Sequence, residues 1–429
     1  SDDKGELLYS FYVPEMECIY DKLSLDFHYR YETGYDDYAR VELGGYNNYP
    51  QGEILEKIER NHVYKLFCRF TQKIAKFELN LTVCPWEYLP PQAEEVKGEV
   101  KMTNCYMVAP GGRVDIPTEN VYKIWAQQAE FGNIPIPDGD VTAELVWQDE
   151  QGVIADEGVT VVNASERERA YLQVRTAKEG NAVVAMKVNG EIYWSWHIWC
   201  APRPSDRYIH SESGGTIYTF MDRNIGAVSD AVGDNSYGLY YQWGRKDPFE
   251  KPGKPLFDVL GMKVSALHEL KRVSLSEGIL NPMSFFSKGT DIRTAWSFFS
   301  PYRWEGRDIT AGKSIYDPCP YGYRVPINIV FYNLRKDYYL TENCRMEDTG
   351  VYFSVIQPGR ELFFPMTGVI DFDYSFVYDN GLQYWTASPM TTTSMTFGWY
   401  NGKWIDFYDN DMGTARGLPI RCVREDYWE

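Results

Sequence analysis

Hydrophobic and polar residues alternate along much of the first part of the chain. The alternation runs through Leu23–Tyr31 and again through Lys76–Val83, and a turn cluster rich in glycine and asparagine lies between them at Leu43–Gly52. A period of two places every second side chain on the same face of an extended strand. The pattern therefore predicts antiparallel strands covered on one face, which we interpret as a β-sandwich-like module over residues 1–92.

A second group of short strands follows a charged, proline-containing connector at Glu87–Glu99. Apolar runs such as "VTAELVWQ", "NAVVAMKV" and "EIYWSWHIW" succeed one another with turn residues between them, until a proline-bearing linker at Cys200–Tyr208. Many short strands punctuated by turns are typical of a sandwich. We interpret residues 93–203 as a second β-sandwich-like module.

From residue 204 to residue 429 the pattern changes. Strands become shorter, loops lengthen, and helical spacing of apolar residues predicts helices over Leu267–Ile279 and Ile327–Leu340. Alternation returns near the end, in "SMTFGWYNGKWIDFY". The predicted fold is mainly β, with two antiparallel sandwich-like modules followed by a loop-rich α+β domain.

Composition narrows the classes of partner. Aromatic residues form 16% of the chain, and tyrosine and tryptophan favour half-buried strand surfaces and contacts with sugars or proteins. The 43 basic and 61 acidic residues give a net charge of −18. Such a surface repels phosphate backbones and anionic membranes, so no nucleic-acid partner is expected.

The sequence contains no recognisable membrane-spanning segment or signal peptide, and no cysteine motif of a metal or redox site. No apolar run is long enough to span a bilayer, and "SDDKGELLYS" has no signal-peptide core, although it is compatible with the residues after a removed signal or a lipid-attachment cysteine. The cysteines show no CxxC pair and no zinc spacing, and we interpret most as buried apolar residues. Whether any two form a disulfide is left open. The eight are Cys18, Cys68, Cys84, Cys105, Cys200, Cys319, Cys344 and Cys422.

Three parts of the chain contain stretches that resemble surface proteins of Bacteroidetes. "ERNHVYKLFCRF…LNLTVCPW" (Glu59–Trp86) resembles the closing strands of fimbrillin-type pilus subunits. "TNCYMVAPGG" and "EGNAVVAMKVNGEIYWSWHIW" resemble a module found beside fimbrial and surface lipoprotein domains. "TFMDRNIGA", "GLYYQWGRKDPF", "DPCPYGYRVP", "YWTASP" and "GLPIRCVRE" occur in the order seen in the FISUMP-type surface domain. That domain is related to C-type-lectin-like and formylglycine-generating-enzyme-like folds.

The resemblance implies a cell-surface adhesin-like subunit, such as a fimbrial tip component, with a C-type-lectin-like last domain. It implies other fimbrial subunits as partners, a glycan or surface protein as ligand, and a location on the cell surface, with membrane attachment only through a lipid anchor or the pilus. Fimbrillins carry a further amino-terminal sandwich, whereas the resemblance here begins inside the second one, so we expect either a longer gene product with a preceding domain or a shortened variant. Two alternatives remain: a glycan-binding lipoprotein of a polysaccharide-uptake system, and a formylglycine-generating-type enzyme.

The stretch "GLYYQWGRKDPF" (Gly238–Phe249) has a structural and a binding interpretation. In the structural one, favoured here, Leu239, Tyr241 and Trp243 alternate inward as core. In the binding one, an aromatic face stacks on a sugar while charged groups bond its hydroxyls. The candidate ligand-binding residues are Tyr240, Arg245, Lys246, Asp379 and Asn380.

Acidic loops near the end are candidates for calcium. Asp406, Asp409 and Asp411 are spaced so that they supply the hard oxygen ligands that Ca²⁺ requires. Neither an EF-hand pattern nor the sugar-binding signature of calcium-dependent lectins is present. No cofactor is otherwise expected, and calcium is a hypothesis for these three residues.

Enzymatic chemistry is not predicted. The related enzymes need reactive cysteines, and Cys319 and Cys422 lie within structural motifs without an adjacent histidine to activate them. No nucleophile elbow or phosphate-binding loop is present. In Tyr193–Cys200, a strand aromatic on both faces, we predict contact with the following domain instead of a sugar platform.

Overall fold

The computed structural model divides the chain into two compact units, Ser1–Lys101 and Met102–Glu429. The structure describes residues 16–17, 23–30, 36–43, 57–58, 62–71, 76–85, 103–127, 131, 134–165, 167, 170–210, 217–287, 304, 313–334, 344–356, 359–378, 381–389, 394–400, 403–405 and 413–425.

The described part of the first unit is a set of antiparallel strand pairs. Its strands are β1 (Met16–Glu17), β2 (Leu23–Arg30), β3 (Asp36–Leu43), β4 (Lys57–Ile58), β5 (His62–Thr71) and β6 (Lys76–Pro85). β2 pairs with β3, β5 with β6 and β1 with β4. The alternation that predicted β2 and β6 is confirmed as extended, antiparallel structure.

The described part of the second unit is also mainly β. Its strands are β7 (Cys105–Val108), β8 (Arg113–Pro117), β9 (Val141–Gln148), β10 (Ile154–Val162), β11 (Tyr171–Thr176), β12 (Gly180–Val188), β13 (Glu191–Cys200), β14 (Asp206–His210), β15 (Ile217–Met221), β16 (Tyr240–Gln242), β17 (Leu256–Phe257), β18 (Lys263–Val264), β19 (Leu267–Leu270), β20 (Ser284–Ser287), β21 (Tyr323–Arg324), β22 (Cys344–Glu347), β23 (Gly350–Ser354), β24 (Glu361–Pro365), β25 (Val369–Ile370), β26 (Phe376–Val377), β27 (Leu382–Pro389), β28 (Ser394–Tyr400), β29 (Lys403–Ile405), β30 (Gly417–Pro419) and β31 (Val423–Arg424).

Helices are few and short among the described residues. They are α1 (Glu119–Gln127), α2 (Leu275–Leu280) and the 3₁₀ segments Asp234–Ser236 and Asn328–Leu334. None of the described helices has the length and apolar character needed to cross a membrane.

A six-stranded sheet in the order β18-β17-β9-β12-β13-β7 crosses the predicted boundary at residue 203. Phe257 of β17 pairs with Gln148 of β9, so strands from both sides of the boundary share one sheet. The residues predicted as separate second and third domains consequently belong to one compact unit. Local turn signals do not reveal this, because the pairing joins residues far apart in sequence.

One predicted helix is largely wrong. Within Leu267–Ile279, the first four residues form β19, which pairs in parallel with β20. The helix begins only at Leu275, where the Ser274 hydroxyl accepts a hydrogen bond from the backbone N–H of Glu277 (3.2 Å). A side-chain cap of this kind sets the start of a helix. Of the second predicted helix, Asn328–Leu334 is 3₁₀ and residues 335–340 lie outside the described residues.

Candidate functional site

The motif strand β16 lies in the interior, as the structural interpretation predicts. Leu239 and Tyr241 are fully buried and Trp243 is nearly so. The indole N–H of Trp243 donates to the carbonyl of Thr386 (2.9 Å), and Trp385 donates to the carbonyl of Tyr241 (2.6 Å). These reciprocal bonds join two of the motifs that the sequence places far apart.

Three candidate ligand-binding residues of the same stretch are buried too, which corrects the expectation that they face a ligand. Tyr240, Arg245 and Lys246 are each at most 1% exposed. The phenol of Tyr240 donates to the carbonyl of Thr367 (2.7 Å). An alternating pattern exposes every second side chain only when one face of a strand is open, and β16 is covered on both faces.

Arg245 makes hydrogen bonds to backbone carbonyls in and just after α2. Its guanidinium donates to the carbonyls of Ser284, Gly278 (3.3 Å) and Asn281 (2.7 Å) and lies over the ring of Phe249 (4.9 Å). Carbonyls near a helix carboxy terminus have no partner within the helix, so a cation there satisfies them. Burial lowers the pKa of Arg245 to about 10, which leaves it charged at neutral pH.

Lys246 and Asp247 form a buried ion pair against β13. The ammonium of Lys246 donates to the carbonyl of Ser195 (2.9 Å) and to Asp247, and it lies 4.8 Å from the ring centroid of Trp194. The hydroxyl of Ser195 donates to Asp247 (2.6 Å). Burial lowers the pKa of Lys246 and the adjacent carboxylate opposes that shift. The Trp-rich strand thus contacts residues that lie beyond the predicted boundary at residue 203.

A second buried polar chain runs from Asp149 to Tyr241. The amide N–H₂ of Asn181 donates to Asp149 (2.8 Å) and to the carbonyl of Gly226 (2.9 Å), so its carbonyl oxygen accepts from Nε2 of His197 (2.9 Å). The Tyr241 hydroxyl lies 3.5 Å from Nδ1 of His197. Burial lowers the pKa of His197 from 6.5 to about 3, so this imidazole is neutral at physiological pH.

We expect His197 to make the protein less stable in acid. Because its pKa is lower in the folded protein than in the unfolded chain, its contribution is complete above pH 6.5 and is lost as the pH falls toward 3. The free energy of unfolding should fall by about 1.4 kcal/mol for each pH unit in this window through this residue alone. Urea denaturation of the wild type and of His197→Gln across the window measures the effect.

The comparison with His197→Gln is needed because Asp149 acts in the opposite direction. Burial raises the pKa of its carboxyl, so its contribution to stability is lost as the pH rises. The difference in slope between the two proteins isolates the histidine. Equal slopes would show that His197 does not titrate as a buried neutral group.

The other motifs from residues 204–429 also meet inside the protein. Asn224 donates to the phenol oxygen of Tyr384 (3.0 Å) and accepts from the guanidinium of Arg421 (2.9 Å). Arg421 is buried and also donates to the carbonyl of Phe363 (2.7 Å). Residues from "TFMDRNIGA", "YWTASP" and "GLPIRCVRE" are thus hydrogen-bonded to one another in the interior. These contacts give the three motifs a structural role.

Cys319 and Cys422, the candidates for a reactive thiol, form a disulfide that joins two further motifs. Both are fully buried. In this state neither sulfur is a thiolate nucleophile. Cys105 and Cys200 are free and buried, and Cys344 is partly exposed. Burial raises the pKa of the Cys200 thiol to about 11, which keeps it protonated.

The remaining predicted site residues lie outside the described residues. They are the ligand-binding candidates Asp379 and Asn380 and the calcium candidates Asp406, Asp409 and Asp411. Among the residues that the structure does describe, no group of three or more His, Cys, Asp or Glu side chains is arranged to hold a metal ion. Calcium binding by the three aspartates remains a prediction.

A candidate site that the sequence indicates only through its acidic residues is the turn between β25 and β26, here called the Tyr374 loop (residues 371–375). Tyr374 has a φ of +62°, a left-handed conformation that bulky residues rarely adopt. The backbone is held by hydrogen bonds from Asp371 N to Ser375 O (2.8 Å) and from Tyr374 N to Asp371 O (2.9 Å). Nε of Arg416, which lies outside the loop, donates a hydrogen bond to the carboxylate of Asp371 (2.7 Å).

The loop presents partly exposed aromatic and polar groups together. The ring of Tyr374 stacks on His268, with 6.1 Å between centroids, and lies 5.1 Å from that of Phe285. Nε2 of His268 is hydrogen-bonded to Ser287 (2.7 Å). Asp373 is exposed, and hydrogen bonds from Ser375 lower the pKa of its carboxyl, so it is an ionised acceptor at neutral pH.

The Tyr374 loop combines features that can recognise a polyhydroxylated ligand. Aromatic rings contact apolar C–H groups, and an exposed carboxylate accepts hydrogen bonds from hydroxyls. Burial, together with the nearby charge of Glu250, raises the pKa of Tyr374 to about 12, so its phenol remains a hydrogen-bond donor. The stretch "DFDYSFVYDNG" (residues 371–381) is acidic, but its sequence does not reveal the conformation of Tyr374 or the proximity of His268.

No family model, curated protein or solved structure matches the chain.

Proposed function

We propose that the protein is a cell-surface adhesin-like subunit, a fimbrial tip component that binds a glycan or protein through its carboxy-terminal, C-type-lectin-like domain. In this proposal the two sandwich-like modules serve as rigid spacers and contact other fimbrial subunits. Recognition is non-covalent and is carried by loops of the last domain.

The Tyr374 loop is the observation that carries this proposal. A non-glycine residue in the left-handed region costs about 1–3 kcal/mol and persists only where surrounding contacts hold it. Here the cost is borne by a tyrosine that is partly exposed and lies next to the exposed Asp373 in the loop. Strain of this kind clusters at ligand-binding sites, and the side-chain chemistry favours a sugar.

The buried disulfide Cys319–Cys422 supports the proposed location. Stable disulfides occur mainly in secreted and surface proteins, since the cytosol keeps thiols reduced. The acidic, tyrosine-rich composition is compatible with a soluble, adhesive surface domain. The same disulfide weakens the alternative of a formylglycine-generating-type enzyme, because it occupies both cysteines of the matching motifs.

We expect the purified protein to bind one or more neutral oligosaccharides on a glycan array, and Tyr374→Gly to weaken that binding about tenfold, equivalent to about 1.4 kcal/mol. Glycine adopts the left-handed backbone without strain, so this variant removes the ring while keeping the loop conformation. Titration of the strongest array ligand gives both affinities. Tyr122→Ala, at a half-buried ring under Arg167 in the amino-terminal half of the unit, is the matched control.

If Tyr374→Gly binds as tightly as the wild type, the Tyr374 loop is not part of the binding site. If the protein binds no glycan on the array, the ligand is not a glycan, and a protein ligand is then tested. Co-purification with fimbrial shaft subunits distinguishes a pilus component from the alternative surface lipoprotein. Selective binding of a dietary polysaccharide without such subunits would favour the uptake system.

A further inference from the structure

Aromatic side chains continue along the β25–β26 hairpin beyond the Tyr374 loop. Tyr374 and Phe376 pack against one small cluster of buried side chains, whereas Val377 packs against the main core. Side chains alternate between the two faces of a strand, so Tyr378, directly after β26, lies on the same face as Phe376. Tyr374, Phe376 and Tyr378 therefore form a row on one face of the hairpin, here called the aromatic row.

The aromatic row is accessible and is longer than one sugar ring. Tyr378 is 47% exposed, and Tyr374 and Phe376 are partly exposed. Among the strands that the structure describes, β26 is the last in the order β16-β30-β25-β26, so no strand of that sheet covers its outer edge. An extended chain covers up to about 13 Å from residue 374 to residue 378. A single pyranose ring is shorter than this distance and cannot contact both ends of the row.

The surroundings of Tyr378 repeat the chemistry of the Tyr374 loop. The Tyr378 phenol lies beside that of Tyr237, and burial, together with the nearby Tyr378 and Asp234, raises the pKa of Tyr237. Asp234 is exposed, as Asp373 is next to Tyr374. Each end of the aromatic row thus combines a tyrosine ring with an exposed carboxylate that accepts hydrogen bonds.

Lys251 supplies a hydrogen-bond donor between these two ends. Its Nζ lies 4.2 Å from the centroid of the Phe376 ring, in the middle of the row. The nearby Lys254 is paired with Glu250 (2.9 Å), whereas the Lys251 ammonium forms no ion pair with any residue in the described part of the chain. A cation placed over an aromatic ring is attracted to it while its N–H groups stay available to a ligand.

This arrangement fits several units of one glycan chain. Tyrosine rings contact the apolar C–H faces of sugars, while carboxylates and an ammonium exchange hydrogen bonds with sugar hydroxyls. The ring of Tyr374 already packs on His268 and Phe285, and the ring of Phe376 lies 6.0 Å from that of Tyr240. Because these side chains are ordered before binding, a long ligand costs little side-chain entropy.

We propose that the site takes a linear stretch of two or more sugar units, an inference that rests on the glycan-binding function proposed above. One unit contacts Tyr374 and Asp373, a later unit contacts Tyr378 and Asp234, and Lys251 donates hydrogen bonds to hydroxyls between them. The ligand is then the interior of a neutral, linear polysaccharide chain instead of a single terminal sugar.

Affinity as a function of chain length tests the proposal. Ligand-observed NMR titration with malto-, cello- and xylo-oligosaccharides, from the monosaccharide to the hexasaccharide, gives a dissociation constant for each length. In at least one series, we expect the wild type to bind the hexasaccharide about tenfold more tightly than the monosaccharide. Tyr378→Ala should abolish this gain, and Lys251→Gln should lower the affinity for the hexasaccharide about fivefold. Tyr352→Ala, at a partly exposed tyrosine of β23, is the matched control and should bind as the wild type does.

Thermal unfolding of each variant verifies the fold, and these partly exposed positions make an intact fold the expected result. A gain that is absent from the wild type would overturn the extended site and leave the glycan-binding function in place. A gain that persists in Tyr378→Ala would do the same, because it would then be a statistical effect of repeated units. Binding to a glycan on the array but to none of the three series would also overturn the extended site. If the protein binds no glycan at all, the proposed glycan ligand fails and this inference fails with it.

Discussion

Replacing Asp247 with alanine is expected to destabilise the protein by about 3–5 kcal/mol, because it leaves a buried charge without its partner. Asp247 and Lys246 are both almost completely buried, and the carboxylate also lies 3.9 Å from Nε of Arg245. Asp247 therefore forms ion pairs with both buried cations. Chemical denaturation at neutral pH measures the change in the free energy of unfolding.

Two further variants separate this effect from a general loss of packing. Adding Lys246→Met to Asp247→Ala removes the uncompensated ammonium, so the double variant should be less destabilised than the single one. Asp230→Ala, at an exposed aspartate, should change stability by no more than about 0.5 kcal/mol. A single variant no less stable than Asp230→Ala would contradict the assignment of Asp247 as the central counter-ion.

Loss of the disulfide is the second large effect expected. Cys319→Ala/Cys422→Ala should lower the free energy of unfolding by about 2–5 kcal/mol, since the bond closes a loop with a sequence separation of 103 residues and restricts the unfolded chain. Alanine avoids placing new polar groups in this fully buried site. The midpoint of guanidinium denaturation reports the change, and reduction of the unfolded wild type before refolding should reproduce it.

Cys344→Ala is the control for this experiment, because that cysteine is partly exposed and lies outside the Cys319–Cys422 bond. Its denaturation midpoint should be close to that of the wild type. If the double alanine variant and the control unfold at the same denaturant concentration, the disulfide does not contribute to stability under native conditions.

Local pattern predicted much of the secondary structure but little of the pairing. The alternation in Leu23–Tyr31 corresponds to β2, and the apolar run "NAVVAMKV" lies within β12. Strand formation follows from the period of the side chains, which a short window contains. The partner of β9 on one side is β17, more than a hundred residues later, and no window includes both.

The burial of the candidate ligand-binding residues in β16 and the turn after it was not predicted, for a related reason. The sequence makes Arg245 and Lys246 candidate ligand-binding residues, whereas in the structure both are buried. Their partners are the carbonyls of Ser284 and Asn281 and the side chains of Ser195 and Asp247, and most of these come from other elements. The burial of a charge is decided by such distant partners and cannot be inferred from the charge itself.

The sequence by itself determined that this protein is mainly β, acidic and rich in aromatic residues, and that Tyr241 and Trp243 are core. These properties depend on composition and on the short-range period of apolar side chains. Only the tertiary structure decided that Tyr240, Arg245 and Lys246 are interior, that Cys319 bonds Cys422, and that Tyr374 meets His268 at a strained loop. Each of these depends on segments brought together by folding, where packing and the need to satisfy buried polar groups override local preference.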